Sequence, residues 1–226
     1  MRAEINEGTG LKYVTVVPDE YTPDSIYPLV IMLHGFGANM QDLAGLAPTI
    51  NATGYVYACP NAPIPFQLGP GQTGFGWMTP RGGGSSEETA NSVKLLGDFF
   101  DTIFQQFNIS PGQALLMGFS QGGGMTYRCG LGRAEKFAGL AALSATLPDE
   151  EELKALLPQE RNQPIFIGHG RFDQMVTDDT AQSAKSFLES NGYSPDFHTY
   201  DMAHEISGEE LSDLVPWIAK VLPPKD

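Results

Sequence analysis

The chain has 226 residues, 41% hydrophobic and 10% aromatic, which suits one compact domain, residues 1–226, with a sizeable core. A formal net charge of -14, with 13 basic residues and no basic run, excludes the clustered cationic surface that nucleic-acid phosphates require. Cys59 and Cys129 are too few for a disulfide framework and read as buried thiols, and no Cys–His spacing suits a metal.

The N-terminal residues, Met1 to Gly8, hold no apolar segment of signal-peptide type, and the apolar runs elsewhere are strand-sized. The expectation is a cytoplasmic protein with no stable membrane insertion, no cofactor and no metal. A homodimer is compatible with it.

Along the chain, Leu29-Val30-Ile31-Met32-Leu33 is continuously apolar, as a parallel strand covered on both faces should be. The glycine-bearing loop Leu33-His34-Gly35-Phe36-Gly37 closes it. A second run spans residues 55–59. The stretch 61–84, rich in Gly and Pro, reads as a long irregular loop carrying Ile64, Phe66, Leu68, Phe75, Trp77 and Met78. Ser85-Ser86-Glu87-Glu88 then reads as a capping box, in which serine and glutamate each satisfy a free amide of the first turn. The helix it starts places Val93, Leu96, Phe100, Ile103 and Phe107 on one face and stops near Ser110-Pro111-Gly112.

Further strand-like runs follow at 114–118, 140–143 and 165–167, and Asp196-Phe197-His198-Thr199-Tyr200 reads as another strand. Only residues 144–164 separate two of these runs, room for one short helix and not for a cap domain. A second capping box, Ser207-Gly208-Glu209-Glu210, opens a last helix that buries Leu211, Leu214, Ile218 and Val221, with Pro216 as a candidate kink. Strands alternating with helices in this way predict an α/β fold, a mostly parallel central sheet flanked by helices. Reactive residues should then lie at the carboxyl ends of strands.

Gly118-Phe119-Ser120-Gln121-Gly122 matches G-x-S-x-G directly after the run 114–118. The pattern holds a serine out on a strained turn, and larger residues two positions either side would collide with backbone. Such a nucleophile needs a base, and the base an orienting carboxylate. Asp173 follows the strand at 165–167. His204 follows the strand ending at Tyr200 and precedes the last helix, so nucleophile, acid and base come in that order. Of the other histidines, His169 is too close to the strand end, His198 lies within a strand, and His34 reads as a supporting hydrogen-bonding residue. Asp201 is the rival acid; Asp178 and Asp179 read as the N-cap and a first-turn residue of a helix after Thr177. The negative charge of acyl transfer needs preorganised amides. The candidates are the amide of Gln121 and that of Phe36.

Taken together, Leu33-His34-Gly35-Phe36-Gly37, Gly118-Phe119-Ser120-Gln121-Gly122-Gly123, Gly168-His169-Gly170 with Asp173, and Ala203-His204-Glu205-Ile206 resemble the phospholipase/carboxylesterase family of α/β-hydrolases. The likeness spans residues 12–221. It implies the α/β-hydrolase fold without a large cap, Ser120, Asp173 and His204 as triad, and the amides of Phe36 and Gln121 as oxyanion hole. Phe36 stands where many relatives carry leucine, and Asp201-Met202-Ala203 where Gly-Met-Gly is common, departures that bear on substrate preference. Dienelactone hydrolases look similar but use cysteine where this chain has Ser120.

The expected reaction is hydrolysis of short- to medium-chain carboxylic esters through an acyl-enzyme. The alternatives are an acyl-protein thioesterase or lysophospholipase, or a hydrolase fold retained for binding. Ile64, Phe66, Leu68, Phe75, Trp77 and Met78 are expected to form one wall of the substrate pocket, or merely to pin their loop. Met175 and Val176 are expected to form another wall.

Overall fold

The computed structural model describes residues 1–8, 10–80 and 85–225. Its strands are β1 (Arg2–Asn6), β2 (Tyr13–Val17), β3 (Leu29–Leu33), β4 (Val56–Pro60), β5 (Ile64–Gly69), β6 (Gln72–Gly76), β7 (Ala114–Phe119), β8 (Phe137–Leu143), β9 (Ile165–Gly170) and β10 (Asp196–Tyr200). Its helices are α1 (Ala47–Asn51), α2 (Ser86–Gln106), α3 (Gln121–Gly130), α4 (Glu150–Lys154), α5 (Asp178–Ser190) and α6 (Gly208–Val221).

Eight strands form one sheet in the order β1-β2-β4-β3-β7-β8-β9-β10. The six from β4 to β10 in that order pair in parallel, while β1 and β2 join antiparallel at one edge. Alternate residues of each buried strand serve opposite faces, as the pleat dictates. Leu29, Ile31, Leu33, Leu116, Leu140 and Ile167 meet α2, α3 and α5 in one apolar cluster. Val30, Met32, Leu115, Met117, Leu143 and Phe166 meet α1 and α6 in the other. The strand order turns back at β3, between β4 and β7. Ligand crevices of open α/β sheets form at such a switch point, and the loops after β3 and β7 both lie there.

The continuously apolar runs are all strands, and the segment 144–164 holds the single short helix α4. The stretch 61–84 departs from expectation. Its residues 64–76 are not irregular but form the antiparallel hairpin β5–β6, with Gly71 at φ +74° in the turn; residues 81–84 lie outside the described ones.

Both capping boxes form by half. Ser85 accepts the Glu88 amide at 3.2 Å, but the Glu88 carboxylate accepts from the Thr79 amide instead of closing back. Ser207 accepts the Glu210 amide at 3.1 Å, while the Glu210 carboxyl is buried against Gly168 of β9 and makes no hydrogen bond of good geometry. Thr177, not Asp178, is the N-cap of α5, and α6 continues through Pro216.

Burial pushes the Glu210 carboxyl up to about 8, against a smaller lowering pull from the Ser207 amide. Its acid form suits the folded protein, so the stabilising contribution is complete below the unfolded value of 4.5 and is lost as pH rises toward about 8. Glu210→Gln is therefore expected to remove a loss of about 3 kcal/mol at pH 7. Urea unfolding at pH 5 and pH 8 checks this. Parallel pH dependence in the two proteins would refute it.

Candidate active site

The site starts from backbone strain. Ser120 follows β7 and caps α3 at φ 55°, ψ -119°, a conformation costly for any residue but glycine. It persists because the neighbouring strand pins it: the Ser120 amide donates to the Leu143 carbonyl at 2.8 Å, and the Ser120 carbonyl accepts from Thr146 and Gly124. The flanking glycines are steric necessities. A Cβ on Gly118 would lie 2.3 Å from the Gly122 carbonyl oxygen, and one on Gly122 would lie 2.1 Å from that of Leu33.

His204 reaches this turn from the loop between β10 and α6. Its Nε2 stands 2.9 Å from Ser120 Oγ and its Nδ1 2.6 Å from Asp173 Oδ2. Since a carboxylate only accepts, Nδ1 carries the proton, and Nε2 is free to accept from the serine hydroxyl. The loop crosses β9 closely, with Gly170 leaving the room: a Cβ there would be 2.3 Å from the Ala203 carbonyl oxygen.

Asp173 is itself held in place. Its Oδ1 accepts from the amides of Met175 and Val176 at 2.8 and 2.9 Å. Burial alone would raise its pKa, but the His204 hydrogen bond and these two amides outweigh burial and hold it below the usual carboxylate range. His169 braces the same turn, Nε2 donating to the Val176 carbonyl at 2.8 Å. The rival Asp201 is paired with Arg171 on the exposed surface, away from His204 Nδ1. His198 stacks on Phe166 and bonds Asp196, so it stays within its strand.

The loop after β3 is fastened from several sides. His34 is fully buried; its Nδ1 donates to the Gly35 carbonyl at 2.7 Å, and its Nε2 accepts from the Ala62 amide at 3.0 Å. Burial lowers its pKa to about 4, against a smaller raising effect of the Gly35 carbonyl, so it works as a neutral hydrogen-bonding strut. Gly37 and Ala38 exchange backbone bonds with Phe75 of β6. Phe36, by contrast, donates its amide to no described residue, and the Gln121 amide belongs to the first turn of α3, where helix amides lack partners.

The sequence and the fold match known proteins. The phospholipase/carboxylesterase family model covers residues 20–222. The chain belongs to that family. It is 31% identical over 218 residues to acyl-protein thioesterase 1 of Aspergillus fumigatus, covering 87% of this chain and 89% of the relative. A probable carboxylesterase of Oryza sativa subsp. japonica is 28% identical over 84% of this chain and 76% of its own. The crystal structure of SOBER1 from Arabidopsis thaliana superposes with a TM-score of 0.73 at 25% identity, covering 87% of this chain and 99% of that one. Esterase PE8 shares the fold at a TM-score of 0.80 and 22% identity, over 92% and 97% of the two chains. As a family member the protein is an α/β-hydrolase enzyme, a serine hydrolase of the carboxylic ester class.

In this family member, Ser120 and His204 line a cleft of about 560 Å³. Met78, Met175 and Val176 line it too, Met175 being 77% exposed. Ile64, Phe66, Leu68, Phe75 and Trp77 do not line it. Trp77 is fully buried, its indole donating to the His34 carbonyl at 3.0 Å, and Phe66 packs on Phe36 at 4.8 Å. Trp77 and Phe66 thus support the β3 loop from the side, and Leu68, half-exposed, lies beside Gly37.

The side chain of Gln121 escapes sequence reasoning. It accepts from the Trp77 amide at 2.7 Å and donates to the Met78 carbonyl at 2.8 Å, tying the elbow to the segment after β6. Sequence offered a signal only for its amide, through its place after the serine. Among the described residues no helix is long and apolar enough to cross a membrane, and none of their His, Cys, Asp and Glu side chains group as a metal site. Both cysteines are free and buried, and burial pushes the Cys129 thiol up to about 12.

Proposed function

We propose that the protein hydrolyses short- to medium-chain carboxylic esters, with Ser120 as nucleophile, His204 as general base and acid, and Asp173 as its orienting carboxylate. The observation that carries this reading is the continuous proton path from Ser120 Oγ through His204 to Asp173, at 2.9 and 2.6 Å. Ser120 Oγ attacks the ester carbonyl carbon as its proton passes to His204 Nε2. The oxygen that becomes negative is met by the amides of Phe36 and Gln121. Collapse breaks the bond to the alcohol oxygen, which takes the proton from His204 and departs. Water then attacks the acyl-serine, giving its proton to His204, and the acid leaves with Ser120 restored.

A cleft of about 560 Å³, without a cap domain over it, suits small soluble esters. A thioester reading also has support, since the relative from Aspergillus fumigatus at 31% identity is named an acyl-protein thioesterase. A series of nitrophenyl esters separates chain lengths: kcat/KM is expected to peak at short to medium acyl groups. Highest turnover on long-chain emulsions would overturn that preference. Parallel assays on palmitoylated peptides separate ester from thioester action.

A further inference from the structure

The cleft carries one permanent cation among its described lining residues, Arg128. It lies on α3 two turns beyond Ser120, about 12 Å along the axis at 1.5 Å per residue. Its Nε and one Nη donate side-on to the two oxygens of Glu152 at 2.8 and 2.9 Å, and the side chain is only 12% exposed. A guanidinium has five N–H donors. No described residue accepts from the remaining three, and the spaces open to them are this cleft and an adjoining hollow that Arg128 also lines.

The local charge limits what those donors can take. Glu152 neutralises Arg128, and Asp149, which also lines the cleft, adds a negative charge while its carboxylate caps α4 through the amides of Glu151 and Glu152. Within the cleft a further carboxylate would be repelled, whereas an uncharged oxygen would not; Arg133, the second cation of the adjoining hollow, donates to the Cys129 carbonyl and does not line the cleft. Direction follows from the proton path. The leaving alcohol must face His204, which shares the cleft with Met175 and Val176; Thr89 and Arg128 line the same cleft, and the acyl chain is assigned to their side.

We propose that Arg128 is a specificity-determining residue that selects acyl groups carrying an uncharged oxygen acceptor, a carbonyl or hydroxyl, toward the far end of a medium-length chain. The proposal rests on Ser120 being the nucleophile of an ester hydrolase. An all-alkyl chain in this position strips water from the guanidinium edge and returns no acceptor, and sites built to hydrogen-bond a substrate discriminate strongly against the analogue that lacks the partner.

Three nitrophenyl esters test it: octanoate, 7-oxooctanoate and the suberate half-ester, matched in chain length and in reactivity at the scissile carbonyl. Wild type is expected to favour 7-oxooctanoate over octanoate by about tenfold in kcat/KM, the worth of one hydrogen bond to a charged donor, and over suberate as well. In Arg128→Met the ratio of oxo ester to octanoate falls to about one. Glu152→Gln, at a half-exposed position, leaves Arg128 uncompensated and raises suberate relative to the oxo ester; this arm decides the matter if Arg128→Met does not fold. Equal rates on octanoate and 7-oxooctanoate, a wild-type preference for suberate, or no change of preference in Glu152→Gln would overturn the assignment. Hydrolysis of none of the three, with no fluorophosphonate label on Ser120, would instead overturn the ester-hydrolase reading on which it stands.

Discussion

Ser120→Ala is expected to lower kcat on any ester substrate by on the order of 10⁴- to 10⁶-fold. The expectation follows from the geometry of the turn. Alanine keeps the Cβ and the strained backbone at φ 55°, so the amides of Phe36 and Gln121 stay where they are. What disappears is the oxygen that attacks, and among the described residues no other hydroxyl is hydrogen-bonded to His204 Nε2. Folding stability should change little, by about 1 kcal/mol for the hydrogen bond to His204. The residual rate reports what oriented amides achieve alone. A fluorophosphonate should label wild type at this position and leave the variant unmarked. Labelling of the variant, or a loss of less than about a hundredfold, would move the nucleophile elsewhere.

What could be read from the sequence divides along physical lines. The buried parallel strands β3, β7, β8 and β9 are legible because burial on both faces demands unbroken apolar runs. The elbow and the glycines around it are legible because sterics leave few residue choices. Strand β1 is not legible: Arg2–Asn6 is largely exposed at the sheet edge and is held by backbone pairing to β2, which leaves no apolar pattern. The hairpin β5–β6 hides for a different reason. Its Gly and Pro content signals a loop, yet the glycines at 74 and 76 are there because the β3 loop approaches too closely for side chains.

Within the site, residue types and their order were legible, while supporting contacts were not. Sequence distance to His204 favours Asp201 over Asp173 as the acid. The structure separates them through partners: Asp201 faces Arg171 at the surface, and Asp173 meets the imidazole. Gln121 and Arg128 both sit on α3, and their side-chain partners come from segments 24 to 44 residues away. No local pattern reports such contacts.

Asp173→Asn is expected to lower kcat by about 10⁴-fold with the fold retained, because it turns the imidazole's protons around. The amides of Met175 and Val176 point at Oδ1, so the asparagine carbonyl must take that place and its NH₂ must face His204 Nδ1. An NH₂ group donates, which obliges Nδ1 to accept and shifts the ring proton to Nε2. Nε2–H then meets Ser120 Oγ and can no longer remove its proton. Acid stability changes in step. The Asp173 carboxyl is held below its ordinary value of 3.8, so its stabilising charge is present above that value and is lost as pH falls through the folded pKa. The asparagine variant lacks this acid-side loss. Steady-state kinetics and melting between pH 3 and pH 7 read both effects, with Asp201→Asn, expected to keep wild-type kcat, as the comparison. A kcat loss confined to Asp201→Asn would reverse the assignment of the acid, and more than about a tenth of wild-type kcat in Asp173→Asn would remove the carboxylate from the proton path.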